Sequence, residues 1–378
     1  MKQGWEYKKL NEVCDKGSSN IVISKLTDNN GDYPLYGASG LVKYIDFYHQ
    51  NKPYIGIVKD GAGVGRVNIY PAYSSLVGTM QYIFPKQDCL LNFVKYFLVK
   101  LDLSHCVSGA TIPHIYFKDY GKEIIPVPSL EIQEKIVSEL DKINELIRLK
   151  KEQLKDYDNL AQSIFYEMFG DPVENEKGWE VKHLGELCDK ISNGYNAKLE
   201  EDTYKTEGIM YFRCQNVWRN HFDYSDLVYI DEDTNQKMKS SSLKHNDFLI
   251  TKIGRINTEN SSLGRVSLYE GEDDKANLSG NLCFARLKKD AAVHKFILYI
   301  LISNQFRNYI RRTTVGGIDK RALNVRQISS FPIISPSLPL QHLFAQRIEQ
   351  IERQKSAVQQ SITDLETLLA SRMQHWFE

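Results

Sequence analysis

The sequence is short of the residues and runs that mark several protein classes. It has no apolar stretch near 18 residues and no basic-then-apolar leader, so a membrane span and a secretory signal are not expected. Its six cysteines (Cys14, Cys89, Cys106, Cys188, Cys214, Cys283) are scattered, with no C-x-x-C pair. That argues against a zinc ribbon or a disulfide framework and for a reducing, cytoplasmic setting. The nine histidines show no H-x-x-x-H spacing. No P-loop is present, and no Asn/Asp-Pro-Pro-aromatic segment of the kind that receives a flipped base. Gly61-Ala62-Gly63-Val64-Gly65 imitates a dinucleotide loop, but a strand pattern follows where a helix must begin, and the matching positions later in the chain are Asn257 and Glu259. A hairpin turn is the expected structure there.

Net charge is also missing: 48 basic residues balance 48 acidic ones over 378 residues. The balance is uneven along the chain. Residues 1–128 hold 14 Lys+Arg against 11 Asp+Glu, and residues 178–336 hold 23 against 20, so each carries +3. The remainder holds 11 against 17, or −6. Nucleic-acid contact, if made, falls to the two basic segments.

What is present is a repeat. Residues 4–16 read GWEYKKLNEVCDK and residues 178–190 read GWEVKHLGELCDK, an offset of 174. VGRVNIY (64–70) returns as LGRVSLY (263–269), IGIVKDGAG (55–63) stands where LITKIGRIN (249–257) stands, and Pro128-Ser129-Leu130-x-x-Gln133 returns as Pro336-Ser337-Leu338-x-x-Gln341. The chain is a tandem duplication. The second copy is longer by 34 residues, 25 of them between the Trp segment and the Gly-Arg-Val strand.

Each Pro-Ser-Leu opens a long helix. Ile136, Leu140, Ile143, Ile147, Leu154, Tyr157, Ala161, Ile164 and Met168 alternate by fours and threes, interrupted by Lys150. The partner seam, Phe344, Ile348, Ile351, Val358, Ile362, Leu365 and Leu369, is interrupted by Lys355. Four heptads of such spacing describe a coiled-coil rod of roughly 60 Å with charged outer faces. The expected fold is α+β: two globular domains separated by an antiparallel pair of long coiled-coil helices, with pseudo-two-fold symmetry. Residues 1–128 form the first domain, 129–170 the first helix, 171–177 a turn-rich linker, 178–336 the second domain and 337–378 the second helix. Residues 5–14 read as a short helix or turn, 90–103 and 293–311 as apolar helices, and 108–116 and 313–323 as Gly-containing loops.

Catalytic constellations are thin. Glu180-Val181-Lys182 with Asp171 loosely imitates an acid-x-Lys nuclease site, and Glu6-Tyr7-Lys8 repeats it without the upstream acid. Its place beside a duplicated Trp favours scaffold, and a stand-alone endonuclease is the remote reading. The polar loops offer recognition chemistry instead: Tyr33, Tyr36, Lys59, Arg66, Ser108, Thr111 and His114 in the first half, and Arg213, Gln215, Asn216, Trp218, Arg219, Lys252, Arg255, Asn257, Arg311, Arg312, Lys320 and Arg321 in the second. Arg, Lys, Asn and Gln make the contacts that base edges and phosphates accept.

The paired GWE-x-K-x-L-x-E starts, the GRV strands and the Pro-Ser-Leu-x-x-Gln helix openings, in this duplicated order, resemble the specificity (S) subunit of type I restriction–modification systems. YPLYGASGLVKYIDFY (33–48) also looks like that family's recognition domains. The resemblance implies two target recognition domains, each reading half of a bipartite sequence in double-stranded DNA. It implies docking of methyltransferase (M) subunits on the helices and association of restriction (R) subunits. It implies no catalytic residue or metal in this chain, with S-adenosylmethionine, ATP and Mg confined to the partners. A coiled-coil adaptor that reads no DNA, or a silent or shuffling copy, is the competing expectation.

Overall fold

Strand pairing explains why the duplicated Trp segment and the Pro-Ser-Leu helix start recur together. The computed structural model describes residues 2–109, 111–195, 199, 203–258, 260–314, 316–317 and 319–378. Ala110, Glu259, Val315 and Ile318, each within a segment read above, lie outside the described residues. In the first half the strands are β1 (Glu6–Lys9), β2 (Cys14–Ser18), β3 (Tyr33–Gly37), β4 (Gly40–Ile45), β5 (Tyr54–Val58), β6 (Val67–Tyr70), β7 (Ser75–Leu76), β8 (Met80–Pro85) and β9 (Ile124–Val127). The helices are α1 (Leu10–Val13), α2 (Leu91–Leu101), α3 (Phe117–Tyr120) and α4 (Leu130–Phe169). β1 pairs antiparallel with β9, Glu6 opposite Val127. The lead-in expected as a helix or turn is thus strand first and helix second, and it clasps the strand that feeds the long helix.

The second half repeats the plan with β10 (Val181–His183), β11 (Cys188–Asn193), β12 (Ile209–Phe212), β13 (Val228–Ile230), β14 (Phe248–Thr251), β15 (Ile253–Arg255), β16 (Val266–Leu268), β17 (Ala276–Leu278), β18 (Leu282–Leu287), β19 (Lys320–Ala322) and β20 (Pro332–Ile334). Its helices are α5 (Leu184–Leu187), α6 (Glu232–Lys237), α7 (His294–Ile302), α8 (Asn304–Thr313), α9 (Val325–Ser329) and α10 (Leu338–Phe377). β10 pairs with β20 as β1 does with β9. A four-stranded sheet β2-β8-β5-β6 is matched by β11-β18-β14-β16, and a three-stranded sheet β4-β3-β7 by β13-β12-β17. The pairs β3–β7 and β12–β17 are both parallel. β5 (YIGIV) and β14 (FLIT) are buried at every position, as interior strands covered on both faces must be. The duplication therefore runs through the middle segments whose sequences have diverged. The apolar run 293–311 is two helices. Ser303 breaks it, and its Oγ accepts the Phe306 N–H at 3.1 Å as the N-cap of α8.

The chain condenses into two compact units, Met1–Gln153 with Val358–Glu378, and Leu154–Ala357. Each unit contains part of both long helices, which run antiparallel within it. In the first, Ile136, Leu140, Ile143, Ile147, Val358 and Ile362 are buried, and Leu365 and Leu369 are half-buried. Lys151 pairs with Glu366 at 2.7 Å, and Glu139 accepts from Arg372 and from Trp376 Nε1. In the second, Phe344, Ile348 and Ile351 are buried, and Lys355 reaches Asp158 rather than lying in the seam. Leu154, Tyr157 and Ile164 are only half-buried there. Near the end of α4 the fully enclosed positions are Ala161, Phe165 and Phe169, spaced by fours, with Ile164 and Met168 half-buried against the same cluster. A straight helix drifts against a seven-residue repeat. The aromatic ring pairs Phe165–Phe344 and Phe169–Phe296 capture the drifted face.

The recurring Gln has a structural task. Gln133, fully buried, donates to the carbonyls of Asp88 (2.8 Å) and Pro128 (3.0 Å) and accepts the Leu90 N–H (2.8 Å) just before α2. Gln341 donates to Pro336 O (2.8 Å) and accepts the Val293 N–H (2.9 Å) just before α7. The closing phenylalanines repeat too. Phe377 packs on Phe93 at 5.2 Å and Phe169 on Phe296 at 4.8 Å. Trp5 stacks on Trp376, and Trp179 Nε1 donates to Phe169 O at 2.9 Å.

The Arg372 hydrogen bond, ahead of those from Trp376 and nearby charge, holds the Glu139 carboxyl below its usual range. A lowered acid stabilises the fold above its unfolded-state value, near 4.5, and loses that contribution as pH falls through the folded value. With a third of each side chain exposed, the effect is small. Glu139→Gln is expected to cost up to about 1 kcal/mol near neutral pH and nothing in acid, read from melting temperature against pH. A constant offset across pH would show that the charge is not involved.

Candidate nucleic-acid interface

In the first unit, the glycine stretch is a hairpin turn. Gly61, Gly63 and Gly65 sit at φ +85°, +86° and +86°, where only glycine is at ease. Gly65 N–H returns to Val58 O at 2.8 Å, closing β5 onto β6. The 108–114 loop folds against it. Ser108 and His114 exchange backbone bonds of 2.9 and 2.8 Å, Gly61 N–H reaches Pro113 O at 2.9 Å, and Ile115 N–H reaches Lys59 O at 2.9 Å. Lys59, Ser108 and His114 are thus brought together, with exposed Thr111 at the loop tip and exposed Arg66 on the hairpin. Lys59 is partly neutralised by Asp60, 3.7 Å away.

Tyr33 and Tyr36 lie on β3, in the other sheet. Tyr36 packs on Tyr70 at 4.7 Å, and burial pushes its hydroxyl pKa up. Tyr33 opens an edge-on chain through Tyr48 (4.8 Å) to Tyr73 (5.2 Å). Tyr73, half exposed, is held at φ +56°, an unusual backbone for so bulky a residue. Tyr48 and Tyr73 carry no sequence signal beyond local aromatic richness.

In the second unit, the equivalent ladder is longer. β15 pairs with β19, Arg255 opposite Lys320, and Leu323 N–H reaches Lys252 O at 2.8 Å, as Ile115 reaches Lys59. Here a cleft of about 880 Å³ opens, lined by Gln215, Trp218, Arg255, Asn260, Asn281 and Lys320 among others. It gathers four of the expected residues: Gln215, Trp218, Arg255 and Lys320. Arg255 is exposed and leans on Asp319 at 3.4 Å. Asn257 and Arg312 are exposed near this region. Lys252 is turned inward, with Nζ on Asn193 Oδ1 at 2.7 Å and its pKa pushed down by burial.

Two expected contact residues are scaffold. Asn216 is fully buried, donating to Asp226 Oδ1 (2.8 Å) and Asp223 O (3.1 Å) while accepting from Arg213 N (2.9 Å), so it has no free edge for a base. Arg321 spends Nη1 on the carbonyls of Arg311 (3.0 Å) and Thr314 (2.8 Å), tying down the end of α8. Arg213 is partly engaged as well, through Asp226 at 3.2 Å. Arg265, absent from the expected set, is buried with its guanidinium 3.7 Å over the Trp218 ring. Its counterpart in the duplicated Gly-Arg-Val strand, Arg66, is exposed.

The acid-x-Lys pairs are internal ion pairs, Glu6–Lys8 at 2.7 Å and Glu180–Lys182 at 3.7 Å. Asp171 caps the linker turn by accepting from Val173 and Glu174 N–H. Among the described residues, one group brings metal-ligand atoms together: His105, Cys106 and Glu123, within 4.8 Å of one another. Its His105 is already bonded to Asp102 O (2.9 Å) and Glu123 (3.1 Å).

A family model for the type I restriction modification DNA specificity domain matches residues 2–156 and again 176–367. The chain belongs to that family. Among curated members, the MjaIX specificity subunit of Methanocaldococcus jannaschii is 23% identical over 56% of this chain and 58% of its own length. The StySPI specificity subunit of Salmonella potsdam is 20% identical over 81% of this chain and 66% of its own. The matches to curated members span between 46% and 66% of their lengths. The same specificity-domain fold appears in the crystal structure of a type I restriction–modification S subunit from M. genitalium: TM-score 0.57, 14% identity, covering 99% of this chain and 96% of that one. A chain from a study of complex assembly and conformational transition of the type I R-M system gives TM-score 0.57 at 18% identity, covering 100% and 98%. No helix among the described residues is long and apolar enough to cross a membrane.

Proposed function

We propose that this chain is the DNA-specificity subunit of a type I restriction–modification complex, reading a bipartite duplex target with one half-site for residues 1–128 and the other for 178–336. The observation that carries the reading is one scaffold built twice with two different polar surfaces. The matching sheets hold the 59–66 hairpin and 108–114 loop in one unit and the Gln215–Arg255–Lys320 cleft in the other. A duplicated framework with divergent lining is what two independent half-sites require. Phosphate contacts then fix position and base-edge contacts carry sequence. Two half-sites on one chain raise effective concentration for the second contact.

Methyltransferase and restriction subunits are the partners, docking on the exposed faces of α4 and α10. Chemistry belongs to them, as do S-adenosylmethionine, ATP and Mg, and the complex works in the cytoplasm. The test is base-resolution methylation mapping in cells carrying the native chain or one with residues 1–128 exchanged for those of a relative. One half of the methylated motif changes and the other persists. A motif unchanged by the exchange would refute the assignment. DNA turnover by the purified chain alone would refute its non-catalytic part.

A further inference from the structure

The second unit draws arginines together without an acid between the two that matter most. Arg219, half-buried on the loop after Trp218, places Nη1 3.3 Å from Asn304 Oδ1, while its Nη2 is shut off from solvent with no partner. Arg311, in the last turn of α8, places Nη2 3.4 Å from Thr258 O, and its Nε is likewise shut off and unmatched. Among the described residues neither forms an ion pair with a carboxylate. Arg265 stands beside them and has other work. It lies on Trp218 and bonds the carbonyls of Ser261, Val217 and Asn260. Burial first, then the charges of Arg311 and Arg265, push the Arg219 pKa down. Arg265 is itself pushed down, by burial and then by Arg307.

Arg219 meets the start of α8 at Asn304 and Arg311 projects from its last turn, each with an N–H donor left unmatched, and such donors are costly to shut off from water while the like charges repel. The arrangement is complementary to a small oxyanion, whose oxygens accept the fork of each guanidinium and whose charge cancels the repulsion. A modest side-chain rotation of the kind common on binding brings the unmatched donors into play.

We propose that Arg219 and Arg311 together clasp one anion, a phosphate of the DNA backbone. This rests on the DNA-specificity reading above and refines it. Arg219 and Arg311 become positioning residues that are indifferent to base sequence, beside a cleft whose Gln215, Asn260 and Asn281 amides are suited to base edges.

The experiment measures duplex binding by the full chain, with fluorescence anisotropy from about 50 to 200 mM NaCl. It compares wild type, Arg219→Gln, Arg311→Gln and the double variant. Each is also melted in inorganic phosphate against chloride at equal ionic strength. Either single substitution lowers the steepness of log K against log[salt] by about one and weakens binding on the order of tenfold, equally on target and scrambled duplexes. The double variant loses no further slope, because both residues serve one phosphate. Phosphate raises the melting temperature of wild type and not of the variants. An unchanged slope in both single variants overturns the proposal, as does a double variant whose slope falls by about two. Phosphate stabilisation without any slope change assigns a free anion and overturns the DNA assignment. If wild type binds no duplex, the DNA-specificity reading falls with it, and the melting arm decides alone whether the pair holds an anion.

Discussion

Phe169→Ala is expected to lower the stability of the second unit by about 3–5 kcal/mol, the usual cost of truncating a buried aromatic. The side chain is fully buried at the end of α4, with ring centroids of Phe296, Phe165 and Phe344 at 4.8, 5.2 and 5.5 Å. Removing the ring takes away both burial and edge-to-face contact. The same change at Phe377, which is 9% exposed and touches Phe93 and Phe97, should cost less. Denaturant titration of the two variants side by side measures the difference. A loss below about 1 kcal/mol at Phe169 would show that the cluster relaxes around the cavity and does not anchor the helix.

Asp247→Ala is expected to be nearly as damaging, for an electrostatic reason. Asp247 has no exposed surface. Its two oxygens accept from Arg286 Nε (2.8 Å) and Nη2 (2.7 Å), and Oδ2 also accepts the Lys244 N–H (2.7 Å). That fork, against the opposing effect of burial, holds the Arg286 pKa above its ordinary value. Removing one partner leaves a charge inside the protein without its counter-ion, at a cost of about 3–5 kcal/mol. Arg286 retains 28% side-chain exposure, and water there should bring the figure toward the lower end. Replacing both residues with leucine and methionine should recover most of the loss, because the unpaired charge is gone. Equal destabilisation in the single and double variants would show that packing, not pairing, is what Asp247 supplies.

The long helices were legible because a heptad seam repeats the same information many times, and the tandem plan because GWE, GRV and Pro-Ser-Leu return in order. What escaped was fixed by contacts between distant residues. Asn216 reads as a recognition side chain until Asp226 folds over it, and Arg213 and Arg321 are likewise spoken for by Asp226 and by the end of α8. Arg66 and Arg265 occupy one place in the repeat. The ring of Trp218, from the segment that lengthens the second copy, and the carbonyls of Val217, Asn260 and Ser261 hold Arg265 inward. Local periodicity also places Ile164 and Met168 in the seam, and they pack half-buried beside the deeper cluster of Phe165, Phe169, Phe296 and Phe344. For the candidate interface, residue type announced the chemistry and tertiary packing decided which of those residues are available for it.

The buried glutamines at the helix openings carry a further implication. Gln133 and Gln341 grip their surroundings through main-chain carbonyls and amides alone. Every residue type offers a carbonyl, and every one but proline an amide. A joint that recognises only backbone is blind to the side chains of the segment it holds. Recognition surfaces can therefore change, or be traded wholesale between relatives, without the fastening having to be invented again.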